Sequence, residues 1–136
     1  LNDGKLTQEQ VDMIDRKTLN EFLSTKLIDR IIASQLVMRE KRFTARLKPS
    51  EVFDEYKDVK TDVTVIIQGA VDLAFVEDGK LVIVDYKTDR VKDITKLAGL
   101  YKKQLDLYKS AMEQSEELTV KECILCSIHL GAYITV

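Results

Sequence analysis

Between Thr64 and Asp89 the chain reads "TVIIQGAVDLAFVEDGKLVIVDYKTD", two apolar runs joined at Asp78-Gly79. A two-residue hairpin turn needs φ > 0 at both central positions, and Asp followed by Gly supplies it. The stretch therefore predicts a β-hairpin, and such a turn fixes the register of both strands. Glu77 falls opposite Lys80 as a favourable opposite-charge pair. Continuing the register sets Asp72 across from Asp85, with Cβ atoms about 4.5–5.5 Å apart. Lys87, two residues beyond Asp85, points to the same face, with Ala70 as its cross-strand neighbour. The other face takes Val71, Leu73, Phe75, Val82, Val84 and Tyr86. Apolar residues on both faces predict central strands.

Two facing carboxylates in such strands repel each other and are costly to desolvate. A divalent cation compensates both penalties, and hard ions such as Mg²⁺ take carboxylate and carbonyl oxygens while keeping several waters. A lysine beside that pair can hold a water or neutralise charge developing on a phosphate. The bland alternative is a structural Asp–Lys salt bridge at the mouth of the sheet. The facing Asp72 favours the metal site.

The rest of the sequence surrounds this hairpin with helices and further strands. "TQEQVDMIDRKTLNEFLSTKLIDRIIASQ" reads as helical, with Thr7 and Gln10 as a capping box and Val11, Ile14, Leu19, Phe22 and Leu23 at helical spacing. Lys26 to Gln35 adds Leu27, Ile28, Ile31 and Ile32. "VMREKRFTARL" reads as a strand, and Pro49, the only proline, punctuates the end of this first third. Ile94 to Gln114 predicts a long helix with one stripe of Ile94, Leu97, Tyr101, Gln104, Leu105, Tyr108, Ala111 and Met112. "KECILCSIHL" and "AYITV" close the chain as strands. The element order α, β, β, β, α, β, β describes one α/β or α+β domain over residues 1–136, with a helical region over 1–35 and a sheet core over 36–136.

Composition narrows the function classes. With 45% hydrophobic and 32% charged residues the chain is an ordinary globular protein, not a disordered one. No apolar run reaches the length of a membrane span, and a cytoplasmic location is expected. A net charge of −2 argues against binding nucleic acid through bulk charge and leaves room for a local basic channel. The chain opens on Leu1-Asn2-Asp3-Gly4 without an initiator Met and ends on a strand-like segment, as expected of a piece of a longer protein.

Three motifs in this order, Gly69-x-x-Asp72, Asp85-Tyr86-Lys87-Thr88-Asp89 and Gln104-x-x-x-Tyr108, carry a family resemblance. Together with "VMREKRF" upstream and "SIHLG" at the end, the chain resembles the nuclease domains of RecB-family proteins over nearly its whole length, nearest to the AddA branch. The resemblance implies the PD-(D/E)XK restriction-endonuclease-like fold, a central mixed sheet flanked by helices, and Mg²⁺-dependent cleavage of DNA. Mn²⁺ or Ca²⁺ can occupy such a site. It implies Asp72, Asp85 and the backbone carbonyl of Tyr86 as metal ligands and Lys87 as the catalytic lysine. Glu40 matches an acid that the family places beside the metal, and equally reads as a surface glutamate among Arg39, Lys41 and Arg42. Gln104 and Tyr108 share a helix face that meets either the active site and DNA or simply the sheet. Arg90, Lys92, Lys96, Lys102 and Lys103 either track phosphates or form a solvated helix face.

The resemblance further implies a bacterial helicase–nuclease that resects double-strand breaks for recombination. Its partners are DNA, the rest of the helicase chain, where ATP binds, and a second, AddB-like subunit; no membrane is involved. One departure is clear: the family's metal-ligating histidine, on a helix upstream, has no counterpart, and His129, in the penultimate strand, reads as structural. This segment alone is therefore expected to lack full activity. Cys123 and Cys126 are too few for the iron–sulfur cluster of some relatives. Three apart on a strand they point to opposite faces, which predicts core packing and no cluster. A free-standing resolvase or CRISPR-associated exonuclease is a rival within nucleases, disfavoured by the helical N-terminal region. From another class, the rival is a non-catalytic DNA-binding or subunit-docking module that retains the fold.

Overall fold

In the computed structural model, which describes residues 25–136, alternating and continuous apolar runs become five strands in the order β1-β2-β3-β4-β5. The elements are α1 (Lys26–Ala33), β1 (Val37–Leu47), α2 (Pro49–Val52), a 3₁₀ turn (Asp54–Tyr56), β2 (Val65–Glu77), β3 (Lys80–Lys87), α3 (Ile94–Glu116), β4 (Val120–Ser127) and β5 (Ala132–Thr135). The expected Thr7–Gln10 capping box and the Val11–Leu23 stripe lie outside the described residues. Only β3 and β4 run parallel, with α3 as their crossover; the other neighbours are antiparallel. The sheet is therefore mixed and has helices on both faces, as the resemblance implies. No described helix is long and apolar enough to cross a membrane.

The hairpin forms as its turn chemistry dictates. Asp78 (φ 54°) and Gly79 (φ 72°) both take positive φ, and Glu77 pairs with Lys80. The carboxylate of Glu77, however, is taken by two other cations. Arg30 on α1 donates to it through Nε and Nη2 (3.0 and 2.9 Å), and Lys121 lies 2.7 Å away. Arg30 also reaches Glu122 on β4 at 2.6 Å and lies 5.8 Å from the Phe75 ring centroid. One guanidinium thus ties α1 to two strands, and hydrogen bonds from Arg30 and then Lys121 hold the Glu77 carboxyl down at about 2.

Two apolar layers result. On one face α3 presents its buried Leu97, Leu105, Ala111 and Met112 to Phe43, Ala45, Leu47, Val71, Ala74, Leu81, Ile83 and Leu125. On the other, Leu27 of α1 joins Leu73, Phe75, Val82, Val84 and Ile124. Cys123 belongs to the first layer and Cys126 to the second, both buried free thiols, so their side chains do point to opposite faces. The long helix starts on Asp93, whose side chain accepts from the Thr95 amide, and ends at Glu117 in the left-handed region. Near that end the Gln114 amide closes on Arg46 of the edge strand, accepting its N–H (2.6 Å) and donating to its carbonyl (2.9 Å).

Four expectations need correction. Val71 packs on the α3 face, not with Leu73 and Phe75. Ala70 is not the strand partner of Lys87, because β2–β3 pairing stops at Leu73–Val84 and Ala70 pairs with Arg42 of β1 instead. His129 lies in the turn after β4: Ser127 Oγ accepts the Leu130 N–H at 3.0 Å and Gly131 turns with φ 64°, which ends the strand early. The first described helix stops at Ala33, since Ser34 is extended and donates its hydroxyl to the Val76 carbonyl at 2.7 Å.

Pro49 opens α2 at its first turn, where a missing N–H costs nothing. Gly69 has a packing reason. A Cβ built there would stand 2.8 Å from Cζ of Phe43, and that ring is buried and held edge-on by Tyr108, with centroids 5.6 Å apart. The ring must therefore shift to admit a side chain at position 69. Gly69→Ala is expected to destabilise the fold by about 1–3 kcal/mol, with part of the loss recovered by a second Phe43→Leu change. Urea denaturation of the single and double variants checks this.

Candidate active site

Asp85 sits in the apolar run of β3 and is 4% exposed, with the buried Val84 before it and Tyr86 after it. Its strand is fixed along one side by parallel pairing to β4 from Leu81 to Lys87. On the other side the ladder with β2 ends at Leu73–Val84. Beyond that point a side chain replaces the backbone: Oδ2 of Asp72 accepts the N–H of Tyr86 at 2.8 Å. The two aspartates that the hairpin register sets opposite each other are thus brought together, and the Asp72 carboxyl interacts directly with that of Asp85.

Burial and then the Asp72 carboxyl push the Asp85 carboxyl up to about 7, against the pull of Lys87. Oδ2 of Asp85 is buried without an aligned hydrogen-bond partner. Lys87 Nζ lies 3.0 Å from this oxygen, an ion pair whose angles do not make a hydrogen bond. The ammonium instead donates to Oε1 of Gln104 on α3 at 2.9 Å. Backbone directions add a third oxygen. The Lys87 carbonyl accepts from the Ile128 N–H on the β4 side (2.9 Å), so the polar groups of Tyr86 alternate to the β2 side, toward Asp72.

Among the other residues singled out from the sequence, Tyr108 packs between helix and sheet against Phe43. Burial, then the two nearby aspartates, raise its phenol above the ordinary value. Glu40 stands on β1 at the level of Asp72, between the pairs Arg39–Leu73 and Lys41–Val71, with φ 48°. It does not join a cluster: among the described residues no group of three His, Cys, Asp or Glu gathers as ligands. Arg90 and Lys92 are exposed in the loop after β3, and Lys96, Lys102 and Lys103 are exposed on α3. Two of these are engaged by acids, Lys102 by Asp106 and Lys103 by Asp54.

Two neighbours of the site escaped the sequence reading. The Tyr101 ring lies under the Lys87 ammonium, 4.1 Å from centroid to Nζ, and its hydroxyl donates to Asp89. The available signal was the spacing: Tyr101 is one turn before Gln104 on the same stripe of α3.

The donor set suits a hard divalent ion. Two adjacent carboxylates, one with a buried unsatisfied oxygen, and a carbonyl aimed to the same side offer the oxygens that Mg²⁺ takes while it retains waters. Without an ion the two aspartates act on stability in opposite directions. Asp72→Ala orphans the Tyr86 N–H and is expected to cost about 1–3 kcal/mol. Asp85→Asn removes a desolvated charge and is expected to stabilise the protein at pH 8 in EDTA. Because the folded carboxyl titrates above its ordinary range near about 4, the wild type binds the proton more tightly when folded. Its stability is therefore highest below that range and falls as pH rises toward about 7. The gain from Asp85→Asn should accordingly shrink between pH 8 and pH 5, as urea denaturation at both values will show.

Comparison with known proteins identifies the family. The family model of the PD-(D/E)XK nuclease superfamily matches residues 2–132. An ATP-dependent helicase/nuclease subunit of Clostridium acetobutylicum is 31% identical over 133 residues, 96% of this chain and 11% of that protein. The proteins of the same name from Clostridium botulinum (33% over 132 residues, 96% and 10%) and Clostridioides difficile (31% over 131 residues, 89% and 10%) are similar in the same way. The chain thus spans about a tenth of the length of these relatives. A mixed five-stranded sheet with a D…D-x-K set where β2 and β3 part, matched by the family over almost the whole chain, places this protein in the PD-(D/E)XK nuclease superfamily.

Proposed function

We propose that this chain hydrolyses DNA phosphodiester bonds with the help of Mg²⁺, as the exonuclease part of a helicase–nuclease that processes double-strand breaks for repair and recombination. The observation that carries the reading is the buried, unsatisfied Oδ2 of Asp85 beside the Asp72 carboxyl and 3.0 Å from Lys87 Nζ. A structural salt bridge does not need the second aspartate and is weakened by it.

Asp72, Asp85 and the Tyr86 carbonyl would hold the ion, which when bound would supply Lewis-acid polarisation of the phosphate and a more acidic water. Lys87 orients that water or offsets charge developing on the phosphate. The water gives up a proton to solvent and its oxygen bonds to phosphorus as the bond to the 3′-oxygen breaks, and the leaving oxygen takes a proton from solvent. Gln104 restrains Lys87 through their 2.9 Å hydrogen bond. Tyr108 supports the sheet behind the site, Glu40 stands at its rim, and the exposed Arg90 meets the DNA backbone. In the whole protein, ATP would serve the helicase part, and a second, AddB-like subunit would complete a bacterial cytoplasmic complex. The names of the similar proteins, each an ATP-dependent helicase/nuclease subunit, support this setting.

A second reading, a DNA-binding or docking module that keeps the fold, draws on one observation: among the described residues no third acidic or histidine ligand joins the pair. Ion titration and cleavage separate the two. On the nuclease reading, calorimetry shows Mn²⁺ binding that Asp85→Ala abolishes and Lys87→Ala leaves nearly intact. Both variants lose cleavage of a labelled oligonucleotide in Mg²⁺, by a factor of about a hundred or more. Cleavage that survives both substitutions would overturn the assignment.

A further inference from the structure

The ammonium of Lys87 has three neighbours: Asp85 Oδ2 at 3.0 Å, Gln104 Oε1 at 2.9 Å and the face of Tyr101 at 4.1 Å from the ring centroid. Their roles differ. Asp85 is the carboxylate that the proposed function commits to a metal ion, so its oxygen cannot serve as the fixed anchor of the lysine. Gln104 provides one directed acceptor. The ring provides a broad attractive surface 4.1 Å away, and a partly desolvated cation over an aromatic face is held well. Lys87 is 17% exposed, so water competes weakly for it.

The ring is itself fixed. Its hydroxyl donates to both carboxylate oxygens of Asp89, at 3.1 and 3.0 Å, and Asp89 lies two residues beyond Lys87 on the segment leaving β3. A hydrogen bond from a phenol to a carboxylate also enriches the ring in electron density, which strengthens the face turned to the cation. Burial, then this contact, raise the Tyr101 phenol above its ordinary value, so the donor stays protonated. The latch runs from α3 back to the strand that carries the lysine. A lysine with four rotatable bonds is otherwise poorly placed for chemistry that depends on tenths of an ångström.

We infer that Tyr101, latched by Asp89, is the positioning residue of Lys87: its ring holds the ammonium at the site, with Gln104 as the second hold. The inference rests on the nuclease reading for its consequence in catalysis, and on geometry alone for the placement of the lysine.

The test combines Tyr101→Leu, Tyr101→Phe and Asp89→Asn, each read twice. In the metal-free protein, the ring current of Tyr101 should shift the ε-methylene resonance of Lys87 upfield, with assignment by its loss in Lys87→Ala. The shift should persist in Tyr101→Phe, which keeps the ring, and vanish in Tyr101→Leu. In Mg²⁺, kcat for oligonucleotide cleavage should fall about tenfold in Tyr101→Leu while KM and Mn²⁺ affinity change by less than about twofold. Tyr101→Phe should restore most of the rate, and Asp89→Asn should lie between. An unshifted Lys87 resonance in the wild type overturns the inference. So does a Tyr101→Leu protein that loses the shift and keeps full kcat, or a Tyr101→Phe protein as slow as the leucine variant. A wild type that does not cleave overturns the nuclease reading and with it the catalytic consequence, while the resonance still decides the placement.

Discussion

The hydrogen bond from the Tyr86 N–H to the Asp72 carboxylate is the interaction on which the geometry of the site turns. In an antiparallel ladder that N–H would go to a backbone carbonyl of β2. Taken by a side chain, it leaves β2 and β3 connected at their level but no longer zipped, and the ladder stops at Leu73–Val84. A buried N–H left without any partner costs about 1–3 kcal/mol. Asp72 avoids that loss while parting the strands. The same bond aims the Asp72 carboxylate at Asp85 and the polar groups of Tyr86 back toward Asp72.

The parting of β2 and β3 coincides with a bend in β1 and β2. Before it Met38 and Ala74 face α3; after it Lys41 pairs with Val71, and Val71, Phe43 and Ala45 take that face. Each strand changes its inward set at the same level, and that level holds Glu40 and Asp72. Glu40 has φ 48°, a conformation that non-glycine residues adopt at a cost of about 1 kcal/mol or more. The cost falls on the strand that borders the aspartate, and the two-layer packing on either side of the bend sustains it. Gly69 belongs to the same arrangement. Its missing side chain lets the Phe43 ring lie against β2 just past the bend.

These facts explain how far the sequence could be read. The Asp78-Gly79 turn, the bounds of β1 and the stripe of α3 rest on local chemistry, and they stand as expected. So does the meeting of Asp72 and Asp85, because it lies near the end of a register set by a two-residue turn. The bend escaped because nothing local announces it: Glu40 is not a glycine, and its positive φ is imposed by packing. Two readings that extended a regular ladder past the bend were therefore misplaced: Val71 changed faces and Ala70 lost Lys87 as a neighbour, while Lys87 kept its place beside Asp85. Glu77 illustrates a second limit. Lys80 stands across from it, yet Arg30, 47 residues earlier, competes better with a two-pronged guanidinium. Tyr101 illustrates a third, since an aromatic on the inner stripe of a helix looks the same whether it meets a leucine or an ammonium.

β3 is held unequally, and the inequality makes room for a ligand. Its β4 side is paired from Leu81 through Lys87 and continues in the Ile128–Lys87 bond, so the strand carrying Asp85 and Lys87 cannot shift without breaking a parallel ladder. Its β2 side is open beyond Val84, bridged only by a carboxylate. A strand zipped on both sides would satisfy every backbone group and leave no oxygen free. One loose on both sides would not fix two side chains to the tolerance that chemistry requires. Rigid on one edge and open on the other, β3 keeps Asp85 buried and still unsatisfied. The cost of that carboxyl is met in part by the Lys87 ammonium 3.0 Å away and in part by its raised affinity for a proton.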